Sequence, residues 1–150
     1  MAYEQLKLDN QVCFRMYTAA RLITSAYTPY FQQYGITYTQ YLVLMLLWEK
    51  DNRVIKEITS KLFLETNTVT PLLKRMEKQG LTVSQKSKAD SRQRIISLTK
   101  KGRDLEEQIK DIPNCIARNV AEAGMTTDDF TAMIPLLDKF IDILKDNIIS

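Results

Sequence analysis

The sequence contains no histidine, two cysteines, four glycines and four prolines in its 150 residues. Without histidine there is no Ser-His-Asp or Cys-His nucleophile, and two cysteines are too few for a structural zinc site. Neither a metal site nor a cofactor is expected. So few glycines and prolines argue against long irregular loops. No apolar run approaches the eighteen or so residues that a membrane span needs, and no signal-peptide pattern opens the chain. A cytoplasmic protein without a membrane partner is therefore expected. In that compartment a standing disulfide is not to be assumed, and the cysteines are expected to be either inert core thiols or redox groups. Apolar residues make up 45% and charged residues 26%, values of a folded chain of single-domain length.

The net charge of +3 hides a division. From Arg53 to Arg103, thirteen Lys/Arg stand against four Asp/Glu, while the remainder holds eight basic and fourteen acidic residues. A cationic centre between acidic ends suits a polyanion, nucleic acid above all, better than it suits a merely solvated lysine-rich surface.

Helical periodicity opens the chain. Cys13, Met16, Tyr17, Ala20, Ile23 and Tyr27 recur at spacings of three and four, giving one apolar stripe. Gly35 is placed to end this helix, with Pro29 bending it earlier. Thr37 to Gln40 reads as a capping box that opens a second helix from Tyr41 to Trp48. A short amphipathic helix follows from Ile55 to Leu64, and another begins after Thr66-Asn67, with Pro71 in its first turn and Gly80 at its left-handed end. Leu81 and Val83 alternate with Thr82 and Ser84, and Ile96 and Leu98 with Ile95 and Ser97, on either side of a polar segment from Lys86 to Arg92, which predicts a β-hairpin with a charged tip. Thr99 can cap a long helix toward Gly124, disturbed at Pro113. Thr126 to Asp129 is a second capping box, and Pro135 predicts a bend or a later start in the helix that follows. Helix, turn, helix and hairpin in this order predict a mainly α chain with a small β-hairpin wing (α+β), a winged helix-turn-helix. One domain spans 1–150, with DNA-binding residues at about 37–103 and pairing helices at about 1–36 and 104–150. Apolar helices at both ends of so small a module predict a homodimer, which would set two reading helices about 34 Å apart on a palindromic double-stranded DNA site.

Two segments carry a family resemblance. Leu62 to Lys78 (L-F-L-E-T-N-T-V-T-P-L-L-K-R-M-E-K) resembles the recognition-helix region of MarR-family repressors, and Asp90-Ser91-Arg92 matches their D-x-R wing tip. Leu8 to Phe14 and Gly35 to Glu49 (G-I-T-Y-T-Q-Y-L-V-L-M-L-L-W-E) resemble the thiol-switch branch of that family, the organic-hydroperoxide regulators. The resemblance implies a DNA-binding repressor, not an enzyme.

In such a module, Thr66, Asn67, Thr68 and Thr70 would meet base edges or phosphates, although at least one of them is expected only to cap the helix. Lys74 and Arg75 follow one turn later, and Pro71, by resemblance, belongs to the same surface. Lys86, Lys88, Arg92 and Arg94 surround the hairpin tip. By resemblance Arg92 enters the minor groove, while Asp90 pairs with it or holds the tip in shape.

Cys13 is either a small buried hydrophobe or an oxidant-reactive thiolate. Tyr17, four residues on, could donate its hydroxyl to the sulfur, and a helix start near Asp9 would set the thiol by the positive end of the helix dipole. Tyr27 lies about 21 Å further along the same helix and could meet only the Cys13 of a second chain. The resemblance implies that Tyr17, Tyr27 and Tyr38 surround the reactive cysteine, the latter two from the partner. It further implies that organic hydroperoxide oxidises Cys13 to a sulfenic acid, which condenses with Cys115 of the other subunit. Cys115 could also be a buried inert thiol. Three rivals share the sequence: a MarR-type repressor answering a small phenolic ligand, a peroxide-consuming enzyme that would leave the cationic centre unexplained, and a DNA-coating protein of weak preference.

Overall fold

The structure, a computed structural model, describes residues 3–148. Two single 3-10 turns, Glu4–Leu6 and Leu8–Asn10, precede α1 (Val12–Gln32). This helix starts three residues later than the sequence suggests and runs through Pro29. It closes on Gly35, whose φ of +65° is the left-handed conformation that a β-carbon disfavours. Helix α2 (Tyr38–Glu49) opens on the expected box: Gln40 N–H donates to Thr37 Oγ1, and Thr37 N–H donates to Gln40 Oε1.

A two-residue strand that periodicity cannot reveal, β1 (Arg53–Val54), leads into α3 (Ile55–Leu62). That helix stops two residues early because Phe63 adopts a left-handed φ of 53°. Helix α4 (Thr66–Lys78) begins after Glu65, which makes no side-chain cap bond. The threonines are thus inside the helix and none is its cap. Pro71 is the sixth helical residue, a turn later than expected. Gly80 at φ +73° closes α4 as expected.

Strands β2 (Thr82–Lys86) and β3 (Arg94–Leu98) form the hairpin, and β3 is central in a β1-β3-β2 antiparallel sheet pairing Arg53 with Ile96 and Thr82 with Leu98. Ile96 and Leu98 face the core as expected. In β2 the phase is reversed, with Thr82 buried and Val83 exposed, because the Thr82–Leu98 pair lies on the covered face. Helix α5 (Lys100–Ile109) is capped by Thr99, whose Oγ1 accepts from Gly102 N–H. A β-carbon on Gly102 would stand 2.2 Å from the Leu81 carbonyl oxygen, so only glycine lets α5 approach the end of α4 this closely.

The long helix expected beyond Thr99 is two helices. The chain divides into two compact units at Lys110 and Asp111. In the second unit α6 (Ile112–Glu122) carries Pro113 in its first turn, where a missing N–H breaks no helical bond, so the proline starts a helix instead of disturbing one. Helix α7 (Thr127–Asn147) opens on the Thr126–Asp129 box, at the cap and no later, and runs through Pro135.

The first unit has a continuous core of Phe31, Tyr41, Val43, Leu44, Leu47, Ile58, Val69, Leu72, Met76, Leu81, Ile96 and Leu105. Arg53 is buried among them. Its Nε donates to the Leu46 and Lys50 carbonyls at 3.0 Å, and its guanidinium pairs with Glu57 and, at 3.7 Å, with Glu49. Burying a charge requires such complete pairing. One of the thirteen central cations is thereby fixed as the tie between α2 and α3, and is no part of a binding surface.

Candidate functional site

The outward face of α4 is polar because its apolar residues are spaced to face inward. Val69, Leu72, Leu73 and Met76 are buried. On the other side Thr66, Asn67, Thr68, Pro71, Lys74 and Arg75 are exposed, with Thr70 half-buried. Short hydroxyl and amide groups in the first two turns, with two cations one turn later, present hydrogen-bonding groups and positive charge along a single helical edge. An α-helix of this width fits a DNA major groove.

The wing tip is built by hydrogen bonds among its own residues. Buried Ser87 uses its Oγ to accept from the Ala89 and Asp90 N–H groups, and its N–H donates to the Gln93 carbonyl at 2.9 Å. Asp90 Oδ1 accepts from Arg92 N–H at 3.0 Å and from Arg92 Nε at 3.2 Å, while Arg92 Nη2 reaches Oδ2 at 3.4 Å. The Arg92 side-chain and backbone donors hold the Asp90 carboxyl below the usual carboxylate range. Asp90 therefore does both things expected of it, pairing with Arg92 and fixing the turn. Arg92 remains 89% exposed despite the pair, projecting its guanidinium outward. Lys86 and Lys88 are exposed too. Arg94 differs: its Nε donates to Ser84 Oγ at 2.7 Å and its Nη2 to the Ser84 carbonyl at 3.0 Å, so it braces the hairpin. The serines at 84 and 87 escaped the sequence reading, because only the folded hairpin brings them to their partners.

Cys13 is the second residue of α1 and is exposed. It is no buried hydrophobe. Tyr17 is exposed as well, and among the described residues no hydrogen bond joins it to Cys13. Tyr27 and Tyr38 meet each other instead, with ring centroids 5.1 Å apart, in a cluster that includes Phe31, Tyr41 and Trp48. Burial and the neighbouring Tyr38 raise the Tyr27 hydroxyl; burial, with Tyr27 and Tyr38, pushes Tyr41 up to about 12. A 21-residue helix thus carries an exposed thiol in its first turn and an aromatic anchor near its last. Cys115 is half-buried in the first half of α6. Among the described residues no His/Cys/Asp/Glu group could hold a metal ion, and no helix is long and apolar enough to cross a membrane.

A helix-turn-helix followed by a β-hairpin, which β1 extends to a three-stranded sheet, defines a winged-helix protein. The sequence profile described as "Transcriptional regulator SarA/Rot" matches residues 25–109. The chain is 44% identical to the organic hydroperoxide resistance transcriptional regulator of Bacillus subtilis (strain 168), over 81% of this chain and 83% of that one. It is 33% identical to the regulator SarZ of Staphylococcus epidermidis, over 94% and 93%. Among solved structures it is similar to reduced AbfR bound to DNA, with a TM-score of 0.77, 34% identity and coverage of 95% and 98%. It is also similar to disulfide-formed AbfR, with a TM-score of 0.64, 36% identity and coverage of 92% and 95%. AbfR is a protein of Staphylococcus epidermidis. The chain belongs to the SarA/Rot family of MarR-like winged-helix transcriptional regulators, as the sequence resemblance implies.

Proposed function

We propose that the protein is a homodimeric, cytoplasmic repressor that holds palindromic operator DNA when reduced and releases it when Cys13 is oxidised by an organic hydroperoxide. The observation that carries this reading is one helix with an exposed cysteine in its first turn, in a chain whose winged helix presents an exposed cationic face. The reading is supported by the relatives: one is named for organic hydroperoxide resistance, and AbfR has been solved reduced on DNA and with its disulfide formed.

In this reading Thr66, Asn67, Thr68, Thr70 and Pro71 face the major groove, Lys74 and Arg75 meet phosphate or a guanine edge, and Lys86, Lys88 and Arg92 grip the backbone and minor groove. Asp90 and Arg94 hold the wing in shape. Dimerisation is supported by α7, a 21-residue helix with no buried residue that leaves Ile134, Leu136, Leu137, Phe140 and Ile141 uncovered by its own chain. The first turn of α1 leaves the Cys13 sulfur exposed, where an oxidant can reach it. The Cys13 sulfur attacks the terminal peroxide oxygen, the O–O bond breaks, the alkoxide takes up the proton given up by the thiol and leaves as the alcohol, and Cys13 becomes a sulfenic acid. The Cys115 thiol of the other subunit then displaces water, forming the S–S bond. Tyr27 and Tyr38, adjacent in one chain, would offer their hydroxyls together to the partner's thiol, with Tyr17 contributing from its own helix.

A second reading, a repressor answering a small phenolic ligand, is favoured by a cavity of about 260 Å³ lined by Gln33, Tyr34, Leu81, Lys101, Leu105 and Gln108. It lies just under the roughly 300–1,000 Å³ of ordinary ligand sites. A mobility shift on the gene's own promoter separates the two. Reduced wild type should bind and cumene hydroperoxide should release it, while Cys13→Ser should stay bound under peroxide. Release of Cys13→Ser by peroxide would exclude Cys13 as the sensor, and a covalent dimer from Cys115→Ser on a non-reducing gel would exclude the pairing.

A further inference from the structure

The last turn of α4 is held by a side chain that its own helix does not need. Gln79, the residue after α4, donates from Nε2 to the Gly35 carbonyl at 2.6 Å. Its Oε1 accepts from Gln40 Nε2 at 2.9 Å. Gln40 is 3% exposed, and its own Oε1 accepts from Thr37 N–H as part of the box that starts α2. One amide therefore ties the end of the recognition helix to both sides of the α1–α2 corner, 44 and 39 residues away in sequence. Helix termination is already complete without it: Gly80 N–H donates to Glu77 O at 2.9 Å and Leu81 N–H to Met76 O at 3.0 Å. The backbone at this point is gripped from the other side as well. Lys101 Nζ donates to the Gln79 carbonyl at 2.7 Å, and Thr99 Oγ1 donates to Gly80 O.

Gly35 lies just beyond the end of α1, whose first turn carries Cys13. A helix of that length is a rod of roughly 30 Å, so a tilt of about 4° displaces one end by about 2 Å. A hydrogen bond does not survive such a stretch. A tilt that moves the Gly35 end of α1 then either draws the end of α4 along or breaks the tie. The path from corner to recognition helix is contiguous, through two hydrogen bonds of one amide that can be made or broken, which is the physical form a coupling element takes.

We infer that Gln79 is a positioning residue that couples α1 to the recognition helix, so that its amide passes on to α4 the displacement produced at Cys13. The inference rests on the redox reading above and assigns the regulation of that reading to a residue touching neither DNA nor thiol. Its test compares wild type, Gln79→Ala and Gln79→Glu on the gene's own promoter duplex, reduced and after cumene hydroperoxide, with dimedone labelling of Cys13 in each. Gln79→Glu keeps the acceptor for Gln40 and loses the donor to Gly35. Both variants are expected to bind reduced within about 3-fold of wild type and to label at Cys13 as wild type does. Their peroxide-induced loss of affinity should be at least about 5-fold smaller, the lower end of ordinary coupling strengths. Wild-type release with equal release of both variants overturns the inference alone. So does a fall in reduced affinity that leaves the reduced-to-oxidised ratio unchanged, the signature of a merely structural role. No release of wild type overturns the redox reading and this inference with it.

Discussion

In α2 to α4, Val43, Leu44, Ile58, Val69 and Met76 are wholly covered by their own chain, whereas α7, with nine large apolar side chains, buries none. Helix α1 is divided within itself: Val12, Phe14 and Tyr17 are exposed, and Phe31 at the other end is buried. The two regions thus get their order from different sources. The reading head has its core within one polypeptide, down to a buried Arg53 whose Nε and Nη1 donate to its own chain and whose guanidinium pairs with Glu57 and Glu49. The flanking helices carry apolar faces that the same polypeptide leaves wet, so in the proposed dimer their geometry is set by another copy. A sensor placed in the second region can move without unfolding the first, and the residues between them decide what the head feels.

That comparison breaks most visibly in the core. Leu44→Ala should cost about 2–5 kcal/mol in urea unfolding, the scale of a large-to-small change at a site that cannot collapse. Leu136→Asp should instead leave the helical signal intact and convert the dimer to monomer in sedimentation; a persistent dimer would remove α7 from the proposed interface. Gly102→Ala should cost about 1–3 kcal/mol, since the new methyl must push α5 off the Leu81 carbonyl. Unchanged thermal stability would contradict that packing. Arg92→Ala should weaken operator binding by about 1–3 kcal/mol with no loss of fold, because the guanidinium is outside the core. Equal affinity at physiological salt would take Arg92 out of the interface.

The smallest effect is at high pH. Tyr41 is raised in the folded protein, so the neutral phenol is the favoured form; its stabilising share is intact below pH 10 and fades as pH climbs toward about 12. The tyrosinate absorbance of wild type minus that of Tyr41→Phe should rise near pH 12. A rise near pH 10 would mean that the aromatic cluster is open to water.

Much of this arrangement is written locally. The Thr37–Gln40 and Thr126–Asp129 boxes, the left-handed Gly35 and Gly80, and the Thr99 cap each depend on neighbours within four residues, and all are present where the sequence places them. What periodicity missed depends on distant partners. The two-residue β1 exists because Arg53 and Val54 pair with Ile96 and Ile95, and Val83 faces water because Thr82 pairs with Leu98. Thr66 to Thr70 look like caps in sequence, yet α4 starts at Thr66 after an uncapped Glu65, leaving their hydroxyls free of that task. The helix drawn through Pro113 fails since a proline in a first turn begins a helix as readily as a later one breaks it. For the site, Arg92 with Asp90 was legible as a motif, while the bracing of Arg94 by Ser84 and the Gln79 tie were not: glutamine and serine carry no signal until folding brings them to a partner.

The central claim is that the state of one exposed thiol at the start of α1 sets the affinity of the winged helix. The most direct measurement is fluorescence anisotropy of the dimer on labelled promoter duplex, before and after one equivalent of cumene hydroperoxide per chain and again after dithiothreitol, with Cys13 oxidation followed by mass spectrometry in the same samples. The account predicts affinity falling at least about 10-fold as Cys13 is consumed and returning on reduction. Undiminished affinity with Cys13 fully oxidised would contradict it.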